Sequence, residues 1–288
     1  MRRMELSGGI LALVAITFLA AFVNGALGYG FSSLTVPVGL VFFANRVLNP
    51  ALVVIEVCIN LYVLFINWSG LRAVWRRVLP IIVGLLPGVA LGSYLLASIH
   101  PDWLKLATYC LLLPFILLQA AGVRRPIRAE RLVGVPFGAG LGFLYSVTTI
   151  SGPPLALLFN NQGLVKQEFR AGLALIRVAE SGLTAFAYYQ LGLFTAEALH
   201  VGSWIVPSVL LGIPLGAYAI RRLDAETFRR ICMSFDVWVV GFGLSRALMS
   251  LKLVQSPAAY SAMAAAVLLD LYLLFNFFRS RRAVPAAA

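Results

Sequence analysis

Residues 6–33 read LSGGILALVAITFLAAFVNGALGYGFSS. The part from Leu6 to Asn24 is apolar and, at roughly 20 residues, long enough to cross a bilayer as one helix. It then runs into Gly25, Gly28 and Gly30, and a shorter apolar piece follows from Phe31 to Ala44 with Pro37 inside it. A broken membrane helix leaves backbone N–H and C=O groups without partners. In hydrocarbon each costs several kcal/mol, roughly, so such a break survives only where protein or a water-filled cavity covers it.

The same pattern returns later. Leu132 to Val147 is followed by Thr148-Thr-Ile-Ser-Gly-Pro-Pro154 and a short piece ending at Asn161, with Gly138, Gly140 and Gly142 upstream of the break. Spanning-length segments between and after the two breaks are Pro50 to Trp68, Val78 to Ser98, Trp103 to Gly122, Phe169 to Leu191, Val201 to Ile220, Phe228 to Leu251 and Pro257 to Phe278. The halves also share a motif. Gly88-Val-Ala-Leu-Gly92-Ser-Tyr94 matches Gly212-Ile-Pro-Leu-Gly216-Ala-Tyr218, and Asp102 and Lys105 match Glu226 and Arg229. Each half therefore reads as one broken segment plus three long helices. Residues 1–122 form the first repeat, 123–131 a basic linker, 132–251 the second repeat, and 252–288 an additional helix and tail.

Composition sets the class. The 288 residues are 61% hydrophobic and 12% charged, with a mean hydropathy of +0.91, whereas soluble domains are nearer 25% charged. The fold expected is all-α, a polytopic integral membrane protein. The net charge of +12 does not point to nucleic acid, because no basic run is interleaved with aromatic residues. Three scattered cysteines and two histidines at segment ends argue against a zinc site, a disulfide framework or an intramembrane serine protease. No enzyme activity and no cofactor are expected, and no cleavable leader is evident.

The basic residues test topology. If each broken segment returns to its own side and the linker with Arg124, Arg125, Arg128 and Arg131 faces the cytoplasm, sixteen of the 23 basic residues fall inside, Arg72, Arg76, Arg77, Arg229 and Arg230 among them. Arg2, Arg3, Arg46, Lys105 and Lys252 fall outside. Single crossings would spoil this asymmetry, so the positive-inside rule favours the hairpin scheme. The halves then run in opposite orientations, the inverted-repeat design of many secondary transporters.

The breaks are the expected site. A helix N-terminus carries partial positive charge and free N–H donors and so attracts anions. Two such ends meeting near the midplane would make an anion site, with Gly28, Gly30, Ser32 and Ser33 from the first break and Thr149, Ser151, Gly152 and Pro153 from the second. Thr148, Thr149 and Ser151 are candidate caps. Close packing of small residues is the competing reading of the glycines. Glu56, Arg177, Glu180, Asp236, Arg246 and Asp270 lie inside apolar segments, where each charge needs a partner or water. Arg177 is the candidate cation of the site, and Glu56 and Glu180 are candidate carriers of a coupling proton; a structural ion pair is the equal alternative. Asp236 and Arg246 lie nearer segment ends and read as structural, with Arg246 the expected partner of Asp270. Asn24, Asn60, Asn160 and Asn161 are candidate cavity liners.

The Gly25-x-x-Gly28-x-Gly30 element leading to Pro37, with Ser151-Gly-Pro-Pro-Leu155 opening the second half, resembles the TauE/SafE family of sulfite exporters and related permeases. The resemblance covers residues 10 to 250, approximately. It implies transport of a small sulfur-containing anion, such as sulfite, sulfoacetate or another organosulfonate, across the inner membrane. The expectation is a multi-pass secondary transporter that exports this anion by alternating access, with protons or Na+ as candidate coupling ions. A passive anion channel, or a permease for another small carboxylate or oxyanion, is the alternative. The partners expected are the substrate and the lipid bilayer.

Overall fold

The computed structural model describes residues 2–27, 30–121, 130–159, 166–219, 225–254 and 257–282. Among the described residues there is no strand. The chain forms α1 (Arg2–Leu27), α2 (Phe31–Phe42), α3 (Asn45–Ile66), α4 (Leu71–Ser98), α5 (Pro101–Ala120), α6 (Glu130–Thr148), α7 (Gly152–Phe159), α8 (Lys166–Gln190), α9 (Ala196–Ala219), α10 (Ala225–Ser250) and α11 (Ser261–Arg282). Both expected breaks are present, between α1 and α2 and between α6 and α7. Gly28, Asn160, Asn161, Arg221, Arg222 and most of the basic linker lie outside the described residues.

Among the described residues seven helices are long and apolar enough to cross a membrane: α1, α3, α4, α5, α9, α10 and α11. This is a polytopic membrane protein. The spanning segment expected from Phe169 to Leu191 does not meet that standard, because α8 carries Glu168, Arg170, Arg177 and Glu180 on one helix. It is the most polar of the long inner helices, and its ionisable residues are where the site forms. Helix ends also differ from the hydropathy reading. α3 begins at Asn45 rather than Pro50, and α4 at Leu71 rather than Val78. Hydropathy stops at charge, whereas the helical hydrogen-bond ladder continues through Arg72, Arg76 and Arg77, which are exposed; Arg76 stacks over the Trp75 ring at 5.4 Å.

The shared glycine motif serves helix packing. α4 packs along α6, and α1 packs along α9. A Cβ on Gly88 would overlap the carbonyl oxygen of Ala139, and one on Gly216 would overlap that of Phe22. In a bilayer the tails are as apolar as the helices, so close backbone approach through small residues drives association. Gly25 belongs to the same seam, since its Cβ would overlap the Ile213 carbonyl. For Gly25, Gly88, Gly92, Gly212 and Gly216, close packing is the correct reading. Exchanging α1 with α6, α3 with α8, α4 with α9 and α5 with α10 carries the α1–α9 contact onto α4–α6, and α3–α9 onto α4–α8.

The first broken segment folds back on itself. Gly9, early in α1, lies against Phe42 at the end of α2, and Gly30 at the turn lies against Val23. Gly30 has φ +106°, a backbone conformation that side-chain-bearing residues rarely adopt. The end of α2 therefore returns to the level at which α1 sets out. The ends of α2 and α10 and the start of α5 share one face of the molecule. The start of α3 joins the end of α4 there, through Arg46 donating to the carbonyls of Leu96 and Ile99, both at 2.8 Å.

Two of the intramembrane charges are not where sequence placed them. Asp270 pairs with Arg230, at 2.9 Å, and not with Arg246. Arg230, expected on the cytoplasmic face at the start of the Phe228 to Leu251 segment, is instead buried in the helix interface. Asp236 is likewise buried in the body of α10, away from its ends.

Candidate functional site

The two breaks meet around two carboxylates and one guanidinium. Ser32, in the first turn of α2, donates its hydroxyl to Glu56 Oε1 on α3. Tyr145, near the end of α6, donates its phenol to Glu56 Oε2. Arg177 Nη2, on α8, lies 3.7 Å from Glu56 Oε1. One helical turn further along α8, Glu180 Oε2 accepts from Ser151 Oγ at 2.6 Å, and Ser151 immediately precedes α7. All six residues are buried, none more than 4% exposed. The cluster is closed to both faces and joins residues of α2, α3, α6 and α8 with the residue that leads into α7.

Local backbone chemistry holds the second break open. Ending α6 at Thr148 orphans the last carbonyls of the helix. Tyr188 donates to the Ser146 carbonyl at 2.6 Å, and Asn49 Nδ2 donates to the Val147 carbonyl at 2.6 Å. Thr148 Oγ1 accepts from the Ile150 N–H at 3.1 Å. Thr149 sits at φ 56°, in the left-handed region, a conformation that costs a β-branched residue on the order of 1–3 kcal/mol and tends to occur at functional sites. These partners replace the water that hydrocarbon cannot supply.

The sequence-predicted residues divide. Ser32, Ser151, Arg177, Glu56 and Glu180 come together. Gly30 makes the turn, and Gly152 and Pro153 open α7. Ser33 is buried on α2. The Thr149 hydroxyl bonds back to the Thr148 carbonyl, at 2.7 Å, rather than to either carboxylate. The α7 terminus is also poorer in donors than the dipole argument supposed, because Pro153 and Pro154 carry no N–H. Its contribution is the Ser151 hydroxyl and the dipole. Asn60 reaches the Arg177 carbonyl only at 3.4 Å. Asn24 is buried with neither amide atom hydrogen-bonded in the described protein.

Sequence reasoning missed Tyr145, Asn49 and Tyr188. Tyr145 lies in the turn before the break, and a phenol at that place is the one signal that could have marked it. Asn49 and Tyr188 are far from either break in the chain and gave no signal.

Two atoms of the cluster are unsatisfied. Arg177 Nε and Glu180 Oε1 make no hydrogen bond within the described protein. Buried polar groups normally find partners, so exceptions mark places that do something besides hold structure. The arrangement is a cation with hydroxyl donors on a carboxylate, which is the set of contacts an oxyanion requires.

Comparison with known proteins agrees with this chemistry. Residues 13–244 match the family described as Sulfite exporter TauE/SafE. The chain belongs to the TauE/SafE family. It is also similar to a protein of Cupriavidus necator described as a probable sulfite/organosulfonate exporter TauE, at 29% identity over 178 residues, covering 59% of this chain and 67% of that one. No solved structure matches. The TauE/SafE family are transporters, not enzymes, and in bacteria such a multi-pass protein belongs to the plasma membrane. The family match contains both breaks and all six clustered residues but stops before α11.

Proposed function

We propose that this chain exports a small sulfur oxyanion, sulfite or an organosulfonate, by alternating access, and that substrate and Glu56 take turns on Arg177. The observation that carries the reading is the environment of Glu56. Its carboxylate accepts from Ser32 at the start of α2, accepts from Tyr145 and faces the Arg177 guanidinium. A carboxylate held this way occupies the place of an anionic substrate. Family membership and the relative's printed description support sulfite or an organosulfonate as the cargo and export as its direction.

Charge then dictates coupling. Two anions facing one buried guanidinium repel, so substrate binds when Glu56 takes up a proton and releases Arg177, Ser32 and Tyr145. The loaded carrier moves proton and anion together. With a dianion, one net negative charge moves, and an interior-negative potential drives it outward. The empty carrier resets with Glu56 back on Arg177. Glu180, held by Ser151, is the second proton-bearing group and ties α7 to α8.

The two halves, 1–122 and 132–251, act as inverted repeats in this scheme. The recurrence of the α1–α9 contact as α4–α6, of α3–α9 as α4–α8 and of α2–α10 as α5–α7 under exchange of the halves, together with the fold-back of α2 along α1, supports that reading.

The test is flux of labelled sulfite and sulfoacetate in proteoliposomes, with and without a pH gradient. Saturable flux, faster when the substrate side is acid and indifferent to Na+, is expected. Flux no greater than in empty liposomes overturns the transporter reading, and non-saturating, pH-independent flux turns it into a channel. An impermeant maleimide should reach cysteines at positions 76 and 252 from opposite sides; labelling from the same side defeats the inverted scheme.

A further inference from the structure

A second group of cations lies away from the buried cluster. Lys105 on α5 and Arg246 on α10 line a cavity of about 430 Å³ on the face where α2 ends. Asp102, Tyr109, Leu40 and Ser250 complete the wall used here. Among the described residues neither Lys105 nor Arg246 forms an ion pair, and Asp102 faces His100 at 3.8 Å. Two cations and one carboxylate leave the cavity positive. Its size falls in the range of small-molecule sites, roughly 300–1,000 Å³.

The cavity is joined to the buried site by one helix. α2 carries Ser32 at its beginning and Leu40 near its end, about 12 Å apart at 1.5 Å per residue. Tyr109, on the cavity wall, donates its phenol to the Pro37 carbonyl between them, at 3.0 Å. Tyr109 is held there by Gly243, where any Cβ would overlap its ring. A structural role would have paired Lys105 and Arg246 with carboxylates, as Arg230 is paired with Asp270. Unpaired cations in an apolar-walled cleft instead raise the local concentration of anions.

We propose that this cavity is a peripheral oxyanion site on the outer face, a vestibule that the sulfonate or sulfite anion released from Arg177 passes through, along α2, on its way out. The proposal rests on the buried cluster being the substrate site, but its own test is equilibrium binding. The protein is placed in phosphatidylcholine nanodiscs and titrated with labelled methanesulfonate. Wild type should bind at two sites, Lys105→Gln/Arg246→Gln at one, and Arg177→Gln at one. Lys105→Arg should bind as wild type does, showing that charge and not a lysine-specific contact is read. In proteoliposomes supplied with substrate at the cavity's face, the double variant should raise KM about tenfold and leave kcat unchanged, the signature of lost electrostatic collection. That difference should vanish in about 1 M salt, where the screening length is ~3 Å.

Unchanged stoichiometry in the double variant, or no binding by Arg177→Gln, overturns the vestibule. It is also overturned if phosphatidylglycerol co-purifies with wild type but not with the double variant and methanesulfonate fails to displace it, since the cavity is then a lipid-headgroup site. If the wild type carries no flux but methanesulfonate still binds Arg177→Gln and not the triple variant lacking all three cations, the transport reading fails and the peripheral oxyanion site stands.

Discussion

Two buried arginine–carboxylate pairs lie among the described residues, and they are built differently. Arg230 and Asp270 join α10 to α11 at 2.9 Å, with Ser234 and the Trp238 indole also donating to Asp270, at 3.2 Å each. Both carboxylate oxygens are occupied, although Arg230 Nε is not. Arg177 and Glu56 stand 3.7 Å apart, Glu56 leans on donors from two broken segments, and both Arg177 Nε and the neighbouring Glu180 Oε1 lack partners. The first pair is tight, with the guanidinium hydrogen-bonded directly to the carboxylate, as a fastening should be. The second is looser and shared between the two broken segments, as the proposed exchange of substrate and Glu56 requires. A buried ion pair is therefore not one kind of evidence: how directly its partners hold each other, 2.9 Å in one pair and 3.7 Å in the other, separates a fastening from the proposed switch.

The contrast can be broken by mutation, and the largest effect should come from the fastening. Asp270→Ala leaves a buried guanidinium uncompensated and should cost on the order of 3–5 kcal/mol of stability. A thermal-unfolding assay in detergent should show it, while flux per folded molecule stays unchanged. Arg230→Leu/Asp270→Leu should recover most of the loss, because an apolar pair of similar size needs no compensation. If Asp270→Ala abolishes flux at full folded yield, α11 is part of the transport machinery and the contrast fails.

Arg177→Gln should do the reverse. Anion affinity should fall about 10- to 100-fold, the worth of roughly 1.5–3 kcal/mol for hydrogen bonds to a charged group, with a smaller change in melting temperature. Binding of labelled sulfite to the buried site is the measurement. Equal loss of stability in Arg177→Gln and Asp270→Ala would erase the distinction.

Glu56→Gln imitates the protonated carboxyl permanently. Flux should then lose its rise on acidification, because the group that must take up a proton is already neutral, whereas Asp270→Asn should leave the pH profile in place. A retained pH profile in Glu56→Gln moves the coupling proton to Glu180. The smallest effect is expected for Tyr145→Phe, about fivefold in anion affinity for one hydrogen bond of ~1 kcal/mol. Trp238→Phe, the matching deletion at the fastening, should not alter affinity at all.

Much of the site was legible because its chemistry is expensive in a bilayer. Ser151-Gly-Pro-Pro and the glycines before Ser32 interrupt apolar runs, and Glu56, Arg177 and Glu180 put charge where hydrocarbon should be. Each of these leaves a local mark. Tyr145, Asn49 and Tyr188 leave none: a tyrosine or a lone asparagine is tolerated in a membrane helix, and only the path of the neighbouring helix shows which orphaned carbonyl it serves. The reading of glycine was divided for the same reason. Gly30 is needed for its own backbone angle, but Gly88 and Gly216 are needed for a backbone lying across from them, which is a property of another segment.

The sequence by itself determined an all-helical membrane protein, two matching breaks, a TauE/SafE resemblance and a short set of intramembrane charges, because each follows from local hydropathy, backbone permissiveness or motif. The tertiary structure alone decided how those charges are shared out. It gave Asp270 to Arg230 instead of Arg246, set Glu56 against Arg177, and left Lys105 and Arg246 facing a cavity. Pairing is a matter of distance between helices far apart in the chain, and the strength of a charge interaction depends on separation and burial, neither of which is written in the order of residues.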